Sequence, residues 1–288
     1  MSHSKDAYYV PHGTKWPIVG SIGMLLLMVG ASNWLNGNGN AKYMFYAGLL
    51  TLIFMMFGWF GLVIRESQQG MYNDQVGVSF RMGMVWFIFS EVMFFAVFFG
   101  TLFYTRMLVM PWLGGEGAGA ATGEYLWSGF DAVWPNNGPA NIGGDFDIIP
   151  AFDVPLLNTL ILLTSGFTIT MAHWALKKAN QKGLVIWMAL TVLLGCLFLY
   201  FQAEEYIHAY TELGLTMGSG IYGSTFFMLT GFHGFHVTLG TIMLFVIMIR
   251  SAKGHFSEEN HFAFEGVAWY WHFVDVVWLG LFVFVYVL

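Results

Sequence analysis

The chain contains 288 residues, of which 57% are hydrophobic, 19% aromatic and only 10% charged, and its formal net charge is −6. About a quarter of the residues of a typical soluble domain are charged, so this composition excludes an ordinary soluble protein and indicates one whose solvent is lipid. Its one cysteine, Cys196, excludes a disulfide framework or a multi-cysteine metal site within the chain.

Several segments are apolar over the roughly 17 to 25 residues that a helix needs to cross a hydrocarbon layer. There are seven, at residues 18–34, 43–64, 80–104, 154–176, 184–201, 221–249 and 262–288. Only helices and closed barrels satisfy the backbone in lipid, and these segments lack the polar–apolar alternation of a barrel strand. The sequence therefore predicts an all-α, polytopic membrane protein with seven transmembrane helices.

The polar segments divide the chain into four parts. An N-terminal segment, 1–15, precedes a two-helix bundle at 16–66, and a linker at 67–79 separates that bundle from a five-helix bundle at 80–288. The first residues are polar and the first span stays in the mature protein, so we expect no cleavable signal peptide. Within the second bundle, residues 108–152 form a long loop rich in turn-favouring glycine, proline and asparagine, which is either a solvated acidic flap or a docking surface for a partner subunit.

Basic residues near the span ends predict the orientation. Two of the eleven lysines and arginines, Lys42 and Arg106, lie on one side of the membrane. The other nine lie on the side of the N-terminus: Lys5, Lys15, Arg65, Arg81, Lys177, Lys178, Lys182, Arg250 and Lys253. We therefore expect the N-terminus in the cytoplasm or mitochondrial matrix and the C-terminus on the opposite side.

Glu91 is an acid in an otherwise apolar run, FSEVMFFAVFFG, at residues 89–100. It follows the internal end of its helix by about eleven residues, which places it roughly 16 Å deep at a rise of 1.5 Å per residue. An ionised acid at that depth costs several kcal/mol. We therefore expect a protonated carboxyl group, or one paired with a polar neighbour.

Candidate neighbours lie at a similar predicted depth on two other helices. His233 and His236 are three residues apart, as are His272 and Asp275, so each pair shares a helical face. In lipid such groups turn toward protein or a polar cavity, and they indicate function.

Four interpretations of these groups are open. The histidines could ligate haem or copper, although partners at ligand spacing are lacking. Glu205 and His208 form one Glu-x-x-His pair, whereas a di-metal carboxylate site needs two such pairs and two further acids. Glu91 could serve a proton or ion pathway, although transporters typically have broken helices and related halves. The fourth interpretation is a satisfied polar network that fixes helix packing and contacts lipid headgroups or another subunit.

Three arginines, Arg65, Arg81 and Arg250, lie at the predicted internal interface. They are well placed to meet anionic lipid headgroups. The positive-inside rule alone also requires basic residues there, so both explanations apply.

Five motifs occur in a characteristic order along the sequence. They are RESQQG at 65–70, FSEVMFF at 89–95, DVPLLNTLILLTSGFTITMAHWAL at 153–176, YGSTFFMLTGFHGFHVTLG at 222–240 and FEGVAWYWHFVDVVWL at 264–279. From about residue 16 onward the chain resembles subunit III of the haem–copper cytochrome c oxidases, in its seven-helix form. The resemblance implies bundles of two and five helices around a cleft that holds phospholipids and is proposed as an oxygen route.

The resemblance also implies a function. Such a subunit ligates no haem or copper, which belong to partner subunits, and it lies beside catalytic subunit I, with subunit II in the same complex. Its role is to sustain proton uptake into subunit I and to protect the oxygen-reducing centre from inactivation. The complex is a proton-pumping oxidase that reduces oxygen to water with electrons from cytochrome c, in the bacterial inner membrane or the mitochondrial inner membrane, and has no nucleic-acid partner.

Two alternatives from other classes are kept. One is the equivalent subunit of a quinol oxidase, which is disfavoured by two N-terminal helices beyond the common five-helix quinol form. The other is a free-standing membrane metal enzyme or transporter.

The resemblance assigns individual residues as well. The family's carbodiimide-reactive membrane acid corresponds to Glu91, its lipid-headgroup arginines to Arg65 and Arg250, and a headgroup-contacting histidine to His236. We expect no catalytic or metal-binding residue in this chain.

We further expect a buried polar network of His233, His272 and Asp275.

Two departures limit the transfer from the family. Met71 and Tyr72 occupy positions where many members carry histidines, and the 108–152 loop is longer than in the mitochondrial form.

Overall fold

The computed structural model describes residue 9 and residues 13–288, so most of the segment predicted at 1–15, including Lys5, lies outside the described residues. The helices are α1 (Trp16–Leu35), α2 (Ala41–Gln68), α3 (Asp74–Tyr104), α4 (Met110–Leu113), α5 (Val154–Lys177), α6 (Gln181–Thr211), α7 (Gly220–Ala252) and α8 (Phe262–Leu281). In this described part seven helices are long and apolar enough to cross a membrane, and no strand is present. The predicted fold class is confirmed: the chain is an all-α, multi-pass membrane protein.

Three differences between the helix ends and the predicted span ends are the largest. A π-helical turn, Thr105–Val109, joins α3 to α4, so the third span continues to Leu113, inside the segment predicted as loop. Helix α6 continues to Thr211, beyond the predicted end at 201. The break between α2 and α3 covers only residues 69–73. Helices extend past the apolar run because their backbone groups stay paired whether the surroundings are lipid or water.

The described residues cluster into two compact units, one up to Phe80 and one from Arg81 onward. In the first, α1 and α2 form a hairpin whose backbones approach closely. Gly48 lies directly against the backbone at Leu27, where a Cβ atom would clash. Small residues permit this close approach, which supplies packing contacts where lipid removes the hydrophobic drive between helices.

The second unit has a dense aromatic core. Trp271, Trp278 and Phe226 are fully or almost fully buried. The indole N–H of Trp271 donates to Ser165 Oγ at 2.9 Å, and that of Trp278 donates to Thr159 Oγ1 at 2.9 Å. Both bonds link α8 to α5, so the buried indoles satisfy their polar atoms while filling the core.

Candidate functional site

Glu91 is paired with a histidine from another helix. Its Oε2 lies 2.8 Å from Nε2 of His236, which connects α3 to α7. The side chain of His236 is 9% exposed and that of Glu91 is 21% exposed. The acid therefore reaches the surface of its unit at one edge while its carboxyl group is held by a buried imidazole.

The other ring nitrogen of His236 fixes how many protons the pair holds. Nδ1 lies 2.6 Å from the carbonyl oxygen of Phe232, and a carbonyl only accepts, so Nδ1 carries a hydrogen. One further proton lies between Nε2 and Oε2, either on a carboxylic acid that donates to imidazole or on an imidazolium that donates to carboxylate. Both arrangements have zero net charge, which avoids the cost of an isolated ion in lipid.

Aromatic rings enclose this pair. The ring of His236 lies 5.0 Å from Phe95 in an edge-on arrangement and 6.4 Å from Tyr270 in a stacked one, measured between centroids. The hydroxyl of Tyr270 also donates to the carbonyl of His236 at 3.4 Å. The imidazole is thus fixed in orientation by packing on two sides and by hydrogen bonds at both nitrogens.

His233 is fully buried and lies apart from Glu91 in its contacts. Its Nε2 donates to the carbonyl of Val274 at 3.2 Å, and its ring packs 5.2 Å from Trp278. Nδ1 has no partner among the described residues. His233 therefore ties α7 to the backbone of α8 and does not converge with His236 on one centre.

His272 and Asp275 contact α5. His272 Nδ1 lies 3.6 Å from Asp275 Oδ2, and His272 Nε2 lies 3.4 Å from Thr170 Oγ1. Asp275 packs against Gly166, where a Cβ atom would displace its carboxyl group. The side chain of His272 is 45% exposed, whereas that of Asp275 is 8% exposed. In the described part, the predicted network of these two residues and His233 consists of separate contacts to α5 and to the backbone of α8.

The arginines occupy three different environments. Arg65 is exposed at the end of α2, and its Nε donates to the carbonyl of Gly61 at 3.2 Å. Arg250 is 8% exposed, with its guanidinium carbon 4.6 Å from the centroid of Phe256. Arg81 forms an ion pair with Glu265 at 2.9 Å. Arg65 is therefore open to its surroundings, Arg250 is largely buried without an acidic partner among the described residues, and the charge of Arg81 is already paired.

Sequence reasoning missed one buried acid–hydroxyl pair. Glu205 is 3% exposed, and the hydroxyl of Tyr286 donates to its Oε1 at 2.6 Å. His208, its partner in the Glu-x-x-His pattern, instead lies 3.3 Å from Glu212 in an exposed pair. The two residues of that pattern are therefore engaged separately. No sequence signal indicated Tyr286, which is 81 positions away.

Tyr72 has a defined contact where many family members have histidine. Its hydroxyl donates to Glu66 Oε2 at 2.7 Å, and its ring lies 5.1 Å from Phe80. Burial and the Glu66 carboxylate raise the pKa of Tyr72 above its usual value, so the phenol stays protonated and remains a hydrogen-bond donor at neutral pH.

Comparison with known families identifies the family of this chain. The sequence profile described as "Cytochrome c oxidase subunit III" matches residues 6–121 and 129–288 of this chain. The chain belongs to the cytochrome c oxidase subunit III family. Cytochrome c oxidase subunit 3 of Squalus acanthias is 40% identical over 287 residues, which cover 99% of this chain and 98% of that protein. The proteins of that name from Equus caballus and Hippopotamus amphibius are each 39% identical, over 289 and 287 residues, with the same coverage.

Membership of the subunit III family confirms the resemblance drawn from the five motifs. It places the chain in a terminal oxidase complex with other oxidase subunits. Residues 122–128, which the family profile leaves unmatched, fall inside the 108–152 segment. That segment is the loop predicted to be longer than in the mitochondrial form, and it contains a π-helical turn at Thr122–Leu126.

Proposed function

We propose that this chain is a non-redox membrane subunit of a proton-pumping terminal oxidase that reduces oxygen to water with electrons from cytochrome c. It contacts subunit I directly, shares the complex with subunit II, and leaves haem and copper chemistry to those partners. It lies in the bacterial inner membrane or the mitochondrial inner membrane, with its N-terminus in the cytoplasm or matrix. Family membership supports the role in the oxidase, and the nine basic residues predicted on the side of the N-terminus support the orientation.

The proposed contribution of this chain to the complex depends on the hydrogen bond between Glu91 and His236. This neutral pair holds α3 against α7 without leaving a charge in lipid, and the 21% exposure of Glu91 puts it at the surface that borders lipid or a partner subunit. Polar contacts of this kind fix the rotation of transmembrane helices. The proposal is that a firmly positioned surface, rather than a redox centre, sustains proton uptake into subunit I and the stability of that subunit.

Bound phospholipid is the second part of the proposal. Arg65 is exposed. Arg250 is only 8% exposed and its Nε is buried without a partner, but no acid of the described residues pairs with its guanidinium group. Both arginines therefore keep an unpaired positive charge for an anionic headgroup. Both ring nitrogens of His236 are engaged inside the protein. His236 is therefore proposed to act through Glu91, and the arginines to bind the headgroups.

The test compares the purified oxidase with and without this chain. We expect a similar initial rate of oxygen consumption, several-fold fewer turnovers before inactivation, and slower proton uptake when the chain is absent. We expect the optical spectrum of the isolated chain to show no haem and its metal analysis no copper. An unchanged catalytic lifetime, or haem or copper at near-unit stoichiometry in the isolated chain, would overturn the proposal.

A further inference from the structure

Three side chains that could ligate a metal lie together in the second unit, at the end of its helices that is predicted to face the cytoplasm or matrix. His173 lies near the end of α5, His261 is the N-cap residue of α8, and Glu265 lies in the first turn of α8. His173 Nε2 lies 3.4 Å from His261 Nε2, which in turn lies 3.3 Å from Glu265 Oε1. One ligand atom from each residue lies within 4.8 Å of the other two. It is the one cluster of three such groups in the part of the chain that the structure describes.

The spacing of these atoms suits a tetrahedral metal ion. Zinc binds nitrogen and oxygen at about 2.0–2.2 Å, so tetrahedral geometry separates its ligand atoms by roughly 3.3–3.6 Å. The His173–His261 and His261–Glu265 separations of 3.4 and 3.3 Å fall at this value. The side chains thus already have the arrangement that two edges of a zinc tetrahedron require.

Hydrogen bonding at the far side of His261 directs the lone pair of its Nε2 toward the cluster. Nδ1 lies 3.0 Å from the carbonyl oxygen of Ser257, so Nδ1 carries a hydrogen and the neutral ring has its lone pair at Nε2. That lone pair lies beside Nε2 of His173 and Oε1 of Glu265, so without a metal it can accept from His173, and with one it can bind the cation that the carboxylate also attracts. A backbone carbonyl on Nδ1 is the arrangement that orients metal-ligating histidines in proteins.

Neighbouring side chains also orient the carboxylate of Glu265. Its Oε2 accepts from both Nε and Nη2 of Arg81 at 2.9 Å, which leaves Oε1 directed at His261. The side chains of His261 and Glu265 are 6% and 14% exposed. The ring of His173 packs 5.4 Å from that of Phe264. The cluster is therefore a built, largely enclosed group of side chains rather than a chance meeting on the surface.

We propose that His173, His261 and Glu265 bind one divalent cation of the zinc class, with water at the fourth position. Two imidazole nitrogens and one carboxylate oxygen suit Zn²⁺. The ion would tie the end of α5 to the start of α8 and carry no electrons. The sequence had predicted no metal-binding residue in this chain, and the site is independent of the role proposed above.

Zinc titration of the purified, chelator-treated complex tests the proposal, with a chromogenic chelator as competitor. We expect the wild-type complex to bind one tight equivalent more than complexes carrying His173→Gln, His261→Gln or Glu265→Gln, with affinity at least tenfold weaker in each variant. His208→Gln is the matched control, because His208 and Glu212 form an exposed histidine–glutamate pair at 3.3 Å. That control should keep the full stoichiometry.

A second measurement does not depend on the variants assembling. Zinc anomalous scattering from crystals of the wild-type complex soaked in Zn²⁺ should place an ion within bonding distance of all three residues. Equal zinc stoichiometry in the wild-type and variant complexes, or no anomalous peak at the cluster, would overturn the proposal.

Discussion

Glu91 and His236 lie 145 positions apart and share a hydrogen bond of 2.8 Å between α3 and α7. A second polar contact, between Arg81 and Glu265, joins α3 to α8. Much of the rest of α3 faces outward, with Trp86 63% exposed and Val97 65% exposed. Apolar side chains gain no hydrophobic free energy by moving from lipid to the surface of another helix. These two polar contacts, together with the burial of Phe95 and Leu102 in the core, therefore fix the rotation of α3.

Labelling with a hydrophobic carbodiimide tests the state of Glu91. Such reagents react with protonated carboxyl groups in apolar surroundings, and Glu91 is partly exposed and shares one proton with His236. We expect mass spectrometry to find the label on Glu91 in the wild-type chain, and Glu91→Gln to escape it. Glu205→Gln, which removes an acid that is 3% exposed, should be labelled as fully as the wild type. Undiminished labelling of Glu91→Gln would contradict the assignment.

Removing the imidazole of His236 should destabilise the chain through its partner. His236→Phe keeps a ring but leaves Glu91 unpaired, which costs about 1–3 kcal/mol for a buried polar group that loses its partner. Replacing both residues, as in Glu91→Leu with His236→Phe, should recover much of this loss, because no unpaired acid remains. The measurement is the thermal release of the chain from the detergent-solubilised complex. Losses that simply add in the double variant would show that the two side chains are not coupled.

The pair of Glu205 and Tyr286 predicts an order of stabilities. Tyr286→Phe removes the hydroxyl that donates to Glu205 at 2.6 Å and leaves a buried carboxyl group without that donor, so we expect a loss of about 1–3 kcal/mol. Glu205→Gln keeps an acceptor oxygen for the same hydroxyl and should lose less. The same thermal-release assay checks both variants, and a larger loss for Glu205→Gln would refute this account.

Lipid retention separates the roles of the arginines. Arg65→Gln combined with Arg250→Gln should lower the phospholipid retained by the purified complex and shorten its catalytic lifetime, with little effect on the initial rate, because headgroup binding is electrostatic. Arg106→Gln, on the predicted opposite side of the membrane, is the control. Lipid mass spectrometry and oxygen consumption over time measure both effects. A lower initial rate with unchanged lipid content would indicate a role other than headgroup binding.

The end of α6 was not predictable from the sequence. The fifth span was predicted to end at 201, before the acids Glu204 and Glu205, yet α6 continues to Thr211. The length of the apolar run matches the thickness of the hydrocarbon layer. The helix itself continues as long as its backbone hydrogen bonds continue. Burial of Glu205 against Tyr286 allows a charged residue type to lie within a packed helix, and this contact has no signature in the local sequence.

The sequence by itself determined the helical class, the seven spans and the presence of an acid, Glu91, inside an apolar span. It could do so because lipid accepts only a backbone that is internally paired, a constraint that acts within each segment. Only the tertiary structure decided that Glu91 pairs with His236 rather than with His233 or His272, and that His173 meets His261 and Glu265. Those choices depend on how each helix is rotated about its axis against its neighbours, which is a property of packing between distant segments and not of any one of them.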